Sequence, residues 1–96
     1  MSVQFLIKMN VNFPNDLSAD VRLELRNQEA IKASALAKEG VLLRLWRADS
    51  NTTTWGIWQA EKASTIEEIL VSLPLHRYMN IEIHQLTEHP NDPAQK

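Results

Sequence analysis

Apolar side chains alternate with polar ones along the first part of the chain, which is the pattern of a β-strand that buries one face. The apolar positions are Val3, Phe5, Ile7, Met9, Val11 and Phe13. Leu6 is the one apolar residue between them, so the other face of this strand is predicted to be mainly polar. The segment 14–16, Pro-Asn-Asp, ends the strand.

The next pattern predicts a long helix. Ser18 is the expected N-cap, and no glycine or proline follows until Gly40, which is typical of a helix end. Spacing by three and four predicts one stripe along this helix, with Glu29 at its border. The stripe consists of Leu17, Val21, Leu25, Gln28, Lys32, Ala35 and Leu36. Its polar middle either borders a cavity between helix and sheet or stays solvated, and the residue pattern alone favours solvation.

Three further strands are predicted. Residues 41–48 and 52–60 flank the polar segment 49–51, which is typical of a tight turn, so these two strands should form a hairpin. The last strand is predicted over residues 79–86. The polar, proline-containing segment 87–96 that follows is predicted to be an extended or mobile tail.

A short second helix is predicted between the hairpin and the last strand. Ser64 or Thr65 is the expected N-cap, and Pro74 should stop the helix near Leu73 because proline forces its neighbour out of helical geometry. The turn that follows presents three side chains able to handle protons or bind anions: His76, Arg77 and Tyr78. Such residues either serve a ligand or only increase solubility, and this segment alone does not decide between the two.

The order strand, helix, strand, strand, helix, strand predicts a ferredoxin-like α+β fold, a four-stranded antiparallel sheet with both helices on one face. The 96 residues should form a single domain, 1–96, with a polar tail at 87–96. The other face of the sheet would carry Leu6 and either Trp46 or Trp58. Because a small chain gains stability by burying such residues against a second copy, a homo-oligomer is expected.

Composition and charge narrow the range of functions. The formal net charge of −2, with both signs interspersed, argues against nucleic acid as a partner. The absence of cysteine, the scattered histidines and a total of two glycines argue against a metal site and against a glycine-rich nucleotide loop. The N-terminal pattern resembles neither a signal peptide nor a membrane span, so a cytoplasmic location without membrane contact is expected. The classes of function that remain are acid–base chemistry and simple ligand binding.

Several other residues are candidates for ligand contacts. Lys8 lies on the mixed face of the first strand, where its ammonium group binds an anion or, more commonly, stays in water. Arg47 shares a predicted strand face with Leu43 and Leu45, and it either clamps a carboxylate or forms a structural ion pair. The tryptophans either line a pocket or fill a core or interface. They are Trp46, Trp55 and Trp58.

Short motifs along the chain resemble the muconolactone delta-isomerase family. They are FLIKM at 5–9, KEG at 38–40, LWR at 45–47, LPL at 73–75, YM at 78–79 and EHP at 88–90. Their order and spacing extend over almost the whole chain. The resemblance implies a ferredoxin-like fold, homodecamers built from dimers, catalysis without a cofactor, and a place in the β-ketoadipate pathway of aromatic degradation.

The resemblance also implies a reaction, in which the double bond of (+)-muconolactone moves to give 3-oxoadipate enol-lactone. Glu29 matches a family glutamate and is the predicted base, provided that burial raises its pKa enough for it to accept and release the proton. Lys8 and Arg47 match family positions and are predicted to hold the substrate carboxylate. The other predicted substrate contacts are Tyr78, His76 and Trp55.

Two departures from the family pattern leave alternatives open. Gln28 stands where the family tends to carry a second acid, and His76 with Arg77 replaces a more apolar pair. The chain could therefore isomerise a substituted or different small lactone. It could also be a non-catalytic module of the same fold that binds a small ligand or supports assembly.

Overall fold

The computed structural model describes residues 2–48 and 52–95 of the chain. Its main elements are β1 (Val3–Val11), α1 (Ala19–Lys38), β2 (Leu42–Arg47), β3 (Thr53–Ala60), α2 (Ala63–Val71) and β4 (Met79–Leu86). Short 3₁₀ helices precede and follow β4, at His76–Tyr78 and Pro93–Gln95. The predicted turn at 49–51 lies outside the described residues. Neither α-helix in this part of the chain has the length and apolar character needed to cross a bilayer.

The strands form one four-stranded sheet in the order β2-β3-β1-β4, and all neighbours are antiparallel. At its centre, Ile7 of β1 pairs with Gly56 on one side and with Ile83 on the other. Among the residues that the structure describes, the pairing is irregular only at β2, where the register shifts between Leu42 and Arg44. The predicted ferredoxin-like α+β fold and the predicted hairpin are therefore confirmed.

The hydrophobic core lies between the sheet and the helices. Its buried members are Phe5, Ile7, Met9, Leu36, Leu42, Trp58, Ile66, Leu70 and Leu73. Each large apolar side chain buried in this way stabilises the fold by about 1.5–3 kcal/mol. Trp58 belongs to this core, whereas Trp46 pairs with Trp55 on the opposite face of the sheet. Of the two tryptophans proposed for that face, the structure therefore places Trp46 there.

Local capping signals define both ends of α1. The Oγ atom of Ser18 accepts a hydrogen bond of 3.2 Å from the backbone N–H of Val21. Beyond the last turn, Gly40 has φ 78°, a left-handed backbone that glycine adopts without a steric penalty. Both predicted helix ends are confirmed.

The face that α1 turns toward the sheet is rotated relative to the predicted stripe. The least exposed positions of the helix are Arg22, Leu25, Glu29, Lys32, Ala33 and Leu36. Gln28 is exposed and donates a hydrogen bond of 3.0 Å to Oε1 of Glu24. Glu29 therefore lies within the sheet-facing side, not at its border. Apolar periodicity could not fix the rotation, because Leu23 and Ile31 point to solvent.

Helix α2 begins at Ala63, and its N-cap residue is Lys62, whose side chain makes no capping bond. The prediction that Ser64 or Thr65 caps this helix is therefore wrong. Both residues already lie in the first turn, where the backbone is helical and the hydroxyl cannot act as the cap. The helix ends at Val71, close to the predicted end.

Candidate active site

A cavity of about 150 Å³ lies between α1 and the helix-facing side of the sheet. A volume of this size holds a benzene-sized molecule. Helix α1 contributes Arg26, Glu29 and Ala33, which share one face because they are spaced by three and four residues. The strands β1 to β3 contribute Met9, Val11, Leu42, Leu45, Arg47, Thr54 and Trp58. The turn after α2 and the start of β4 contribute Leu73, Leu75 and Met79.

Glu29 is the half-buried carboxyl group of this cavity. Its Oε1 atom accepts a hydrogen bond of 3.0 Å from the backbone N–H of Leu75. Burial raises the pKa of Glu29 above its ordinary value of 4.5, and the Leu75 N–H, which favours the charged form, opposes part of that rise. A carboxyl group that is held in place and has a raised pKa is suited to proton transfer.

Two arginines line the same cavity, Arg26 from the helix and Arg47 from the sheet. Both are also exposed, so they lie where the cavity opens to solvent. In the described part of the chain neither forms a salt bridge. The Arg26 guanidinium instead lies 5.2 Å from the ring centroid of Phe13. Two cations beside one carboxyl group give the cavity an excess of positive charge, which favours an anionic ligand.

The strand face that carries Arg47 differs in one residue from the prediction. Arg47 pairs with Thr54 and shares its face with Leu45, as predicted. The register shift between Leu42 and Arg44 then turns Leu42 into the core, where it is 7% exposed, and leaves Leu43 38% exposed. The expectation that Leu43 lies on the Arg47 face is therefore corrected.

Lys8 lies on the opposite face of the sheet from the cavity. Its Nζ atom is 3.7 Å from Oε2 of Glu82 and 5.4 Å from the ring centroid of Trp55. Both residues are its partners on the neighbouring strands, whereas the next residue, Met9, faces the helices. Within one chain, Lys8 and Trp55 therefore contact each other and not the cavity that contains Glu29.

His76 and Tyr78 belong to the 3₁₀ helix between α2 and β4. They lie close to the cavity in sequence, but neither lines it. The Tyr78 ring instead packs against Phe13, with 5.4 Å between the centroids. The structure brings two of the predicted site residues into the cavity, Glu29 and Arg47. Four lie outside it within one chain: Lys8, Trp55, His76 and Tyr78.

The sequence reasoning missed two contributors to this site, Arg26 and the amide of Leu75. For Trp58, a position in a pocket was one of the alternatives left open, and the structure places it both in the core and in the cavity wall. A signal for Arg26 was available, because it stands three residues before Glu29 and therefore on the same helix face. The amide of Leu75 had no such signal, since every residue except proline has a backbone N–H.

The sequence comparisons with known proteins agree on one family. The family model for muconolactone delta-isomerase matches residues 3–92. Muconolactone delta-isomerase of Rhodococcus opacus is 38% identical over 88 residues, which are 92% of this chain and 95% of that protein. Muconolactone delta-isomerase 1 of Acinetobacter lwoffii is 33% identical over 87 residues, 91% of each chain.

Solved structures show the same relationship. A crystal structure of muconolactone isomerase superposes with a TM-score of 0.86 at 29% identity and covers 94% of each chain. A crystal structure of SnoaB, a cofactor-independent oxygenase from Streptomyces nogalater, superposes with a TM-score of 0.52. At 14% identity over 96% of this chain and 97% of that chain, SnoaB shows a shared fold alone.

Proposed function

The chain belongs to the muconolactone delta-isomerase family, and we propose that it converts (+)-muconolactone to 3-oxoadipate enol-lactone without a cofactor. The observation that carries this proposal is the cavity in which Glu29, with its raised pKa, lies with two arginines. A small lactone that bears a carboxylate matches the size and the charge of this cavity.

In the proposed reaction, Glu29 moves one proton between two carbons of the substrate. As a carboxylate it removes the γ proton, and the electron pair of that C–H bond shifts toward the lactone carbonyl to give a dienolate. As the carboxylic acid it then returns the proton to the α carbon. A group that both accepts and releases a proton works best when its pKa lies near the working pH, and the effect of burial on Glu29 supports this role.

Arg26 and Arg47 are proposed to bind the substrate carboxylate and to offset the charge of the dienolate. A guanidinium group binds a carboxylate through two parallel hydrogen bonds, so an arginine at the mouth of the cavity would also orient the substrate. Lys8 lies on the other sheet face, so any contact of Lys8 with this substrate would have to come from a different subunit. The contacts of Tyr78, His76 and Trp55 with substrate stay predictions.

We favour muconolactone over a substituted lactone as the substrate. The reason is where the two departures from the family pattern, Gln28 and the His76-Arg77 pair, lie in the structure. Gln28 is exposed and bonded to Glu24, and it does not line the cavity. His76 and Arg77 do not line it either. These departures therefore give no support to an altered substrate preference within one chain.

The proposed working form is a cytoplasmic homo-oligomer. The sheet face opposite the helices carries four large apolar or aromatic side chains that a second subunit would bury. They are Leu6, Trp46, Trp55 and Ile57. The homodecamer implied by the family resemblance stays an expectation.

The direct test is turnover of (+)-muconolactone by the purified protein, followed by proton NMR. We expect the enol-lactone to appear, and in deuterated solvent part of the original γ proton should be found on the α carbon, because one carboxyl group carries it across. Saturable binding of muconolactone without any turnover would instead support a ligand-binding module.

A further inference from the structure

Trp58 carries a buried hydrogen-bond donor that has no acceptor. The residue is 3% exposed, and its Nε1 atom makes no hydrogen bond in the described part of the chain. Most buried polar groups in proteins have a partner, so an unpaired indole N–H calls for an explanation. Trp58 also lines the cavity that contains Glu29, so a bound molecule is one source of the missing acceptor.

The N–H edge of Trp58 lies over Gly56. A Cβ atom added to Gly56 would lie 2.9 Å from Nε1, so the indole nitrogen occupies the space that a side chain at this position would fill. Residues two apart on a strand share a face, and the next position on this face is Thr54, which pairs with Arg47. The indole N–H therefore lies toward the polar part of the cavity wall.

The Leu45 side chain also lies next to Gly56. Its Cδ2 atom would also lie 2.9 Å from a Cβ atom on Gly56, and Leu45 likewise lines the cavity. The residue is 46% exposed, so its side chain has room to change rotamer without a movement of the backbone. Such a rotation would clear space over Gly56, next to Nε1 of Trp58.

We propose that, once Leu45 has rotated aside, Nε1 of Trp58 donates a hydrogen bond to the lactone carbonyl oxygen of the bound substrate. This inference rests on the proposed isomerase function. The carboxylate carries a full charge that suits the two arginines, whereas the carbonyl oxygen gains negative charge only as the dienolate forms. A donor fixed in the sheet wall, across from the helix that carries Glu29, stabilises that charge without reorganisation.

A kinetic experiment tests the role of this donor. Trp58→Phe removes the N–H and keeps an aromatic ring, so we expect kcat to fall about tenfold or more while KM changes less than about threefold. Trp46→Phe is the matched control, because it makes the same change on the sheet face away from the cavity. Since a second subunit is expected to cover that face, both variants are compared at concentrations where light scattering gives the wild-type particle mass, and there Trp46→Phe should leave both constants unchanged. A loss that appears in KM alone would overturn the assignment to the carbonyl oxygen.

A second measurement uses the wild-type protein and does not depend on how the variant folds. Tryptophan labelled at the indole nitrogen gives one N–H resonance for each of the three tryptophans. The probe is the saturated lactone acid, which keeps the carboxylate and the carbonyl but cannot isomerise. We expect the Trp58 indole proton to shift downfield to saturation while that of Trp46 stays in place.

The opposite result is equally clear. If isothermal titration shows saturable binding of the probe and the Trp58 indole proton does not shift, Trp58 makes no contact with the ligand. Turnover of muconolactone by the same preparation tests the isomerase function separately, so the two failures are distinguishable.

Discussion

The backbone nitrogen of Leu75 lies 3.0 Å from Oε1 of Glu29, which ties the middle of α1 to the turn after α2. The two residues are 46 positions apart in the chain. The bond satisfies one oxygen of a half-buried carboxyl group, and it depends on a turn whose shape is set by Pro74. The Leu-Pro-Leu segment therefore contributes to the site through its backbone.

The first prediction concerns Glu29 as the base. Glu29→Gln should keep the fold, because the amide oxygen of glutamine can still accept the hydrogen bond from Leu75. Turnover of muconolactone should fall by about 10²-fold or more, the scale of lost general-base catalysis. Glu24→Gln, an exposed change on the same helix, should keep full activity. Wild-type kcat in Glu29→Gln would exclude Glu29 as the base.

The second prediction concerns the dependence of the rate on pH. Burial raises the pKa of Glu29 above its ordinary value of 4.5, so the free enzyme loses its basic form at a higher pH than a surface glutamate would. A plot of kcat/KM against pH should therefore have an acidic limb with its midpoint above 4.5. The residual activity of Glu29→Gln should lack that limb, and a midpoint at 4.5 or below would contradict the assignment.

The third prediction follows from the same raised pKa and concerns stability. The folded protein holds the Glu29 proton more tightly than the unfolded chain, so the free energy of unfolding falls as pH rises from about 4.5 through the folded-state pKa. Above that pH range, the stability contributed by protonated Glu29 is lost completely. Urea titrations should therefore find Glu29→Gln more stable than wild type near pH 7, with the difference disappearing near pH 4. A variant that is less stable near pH 7 would show that the carboxylate stabilises the fold.

Much of the fold could be predicted because its signals are local. Ser18 and Gly40 mark the ends of α1 through a side-chain cap and a left-handed backbone, and alternation identifies the buried face of β1. The rotation of α1 could not be predicted in this way. Leu23 and Ile31 point to solvent while Glu29 faces the sheet, so packing against the sheet overrides the weak apolar pattern of the helix.

The candidate site could be predicted only in part from the sequence, for a related reason. Motif resemblance led to Glu29 and Arg47, but it gives no information about which face of a strand a residue occupies. Alternation along β1 indicates that Lys8 lies on the polar face of that strand. The face of Arg47 depends on the register shift in β2, and the structure places Arg47 on the opposite face of the sheet from Lys8. Register is a property of the assembled sheet, and the sequence of one strand does not determine it.

The fourth prediction concerns the anion contact of Arg47. Arg47→Gln should weaken binding of the lactone acid by about 10–100-fold and that of its neutral methyl ester much less, because only the acid loses a charge-assisted hydrogen bond. Arg44→Gln is the matched control. It lies on the same strand but on the other face, 4.7 Å from the ring centroid of Trp46, and should change neither affinity. Isothermal titration calorimetry with the saturated lactone acid and with its methyl ester measures the dissociation constants of each variant.

The same comparison distinguishes the two proposed cations. Arg26→Gln should behave like Arg47→Gln, since both residues line the cavity. A selective loss of acid binding in Lys8→Gln would instead show that Lys8 of another subunit reaches the substrate. Equal losses for the acid and the ester in Arg47→Gln would point to a structural role for that residue.

The last prediction is that the chain has no stable, active monomer. Both helices cover one face of the sheet, and the other face carries two apolar pairs across neighbouring strands, Leu6 with Ile57 and Trp46 with Trp55. Trp46 is 44% exposed in the single chain. A chain of 96 residues buries too small a fraction of its surface to leave such a face in water at no cost, so association should stabilise it.

Light scattering and muconolactone turnover across a dilution series test this expectation together. The particle should be a multimer at high concentration, a decamer if the family resemblance holds. On dilution, activity should fall in step with the particle mass, because folding and assembly are coupled. Ile57→Glu places a charge in the middle of the exposed sheet face and should move the transition to higher concentration. A compact monomer that keeps full activity at the lowest concentration would show that the exposed sheet face needs no partner.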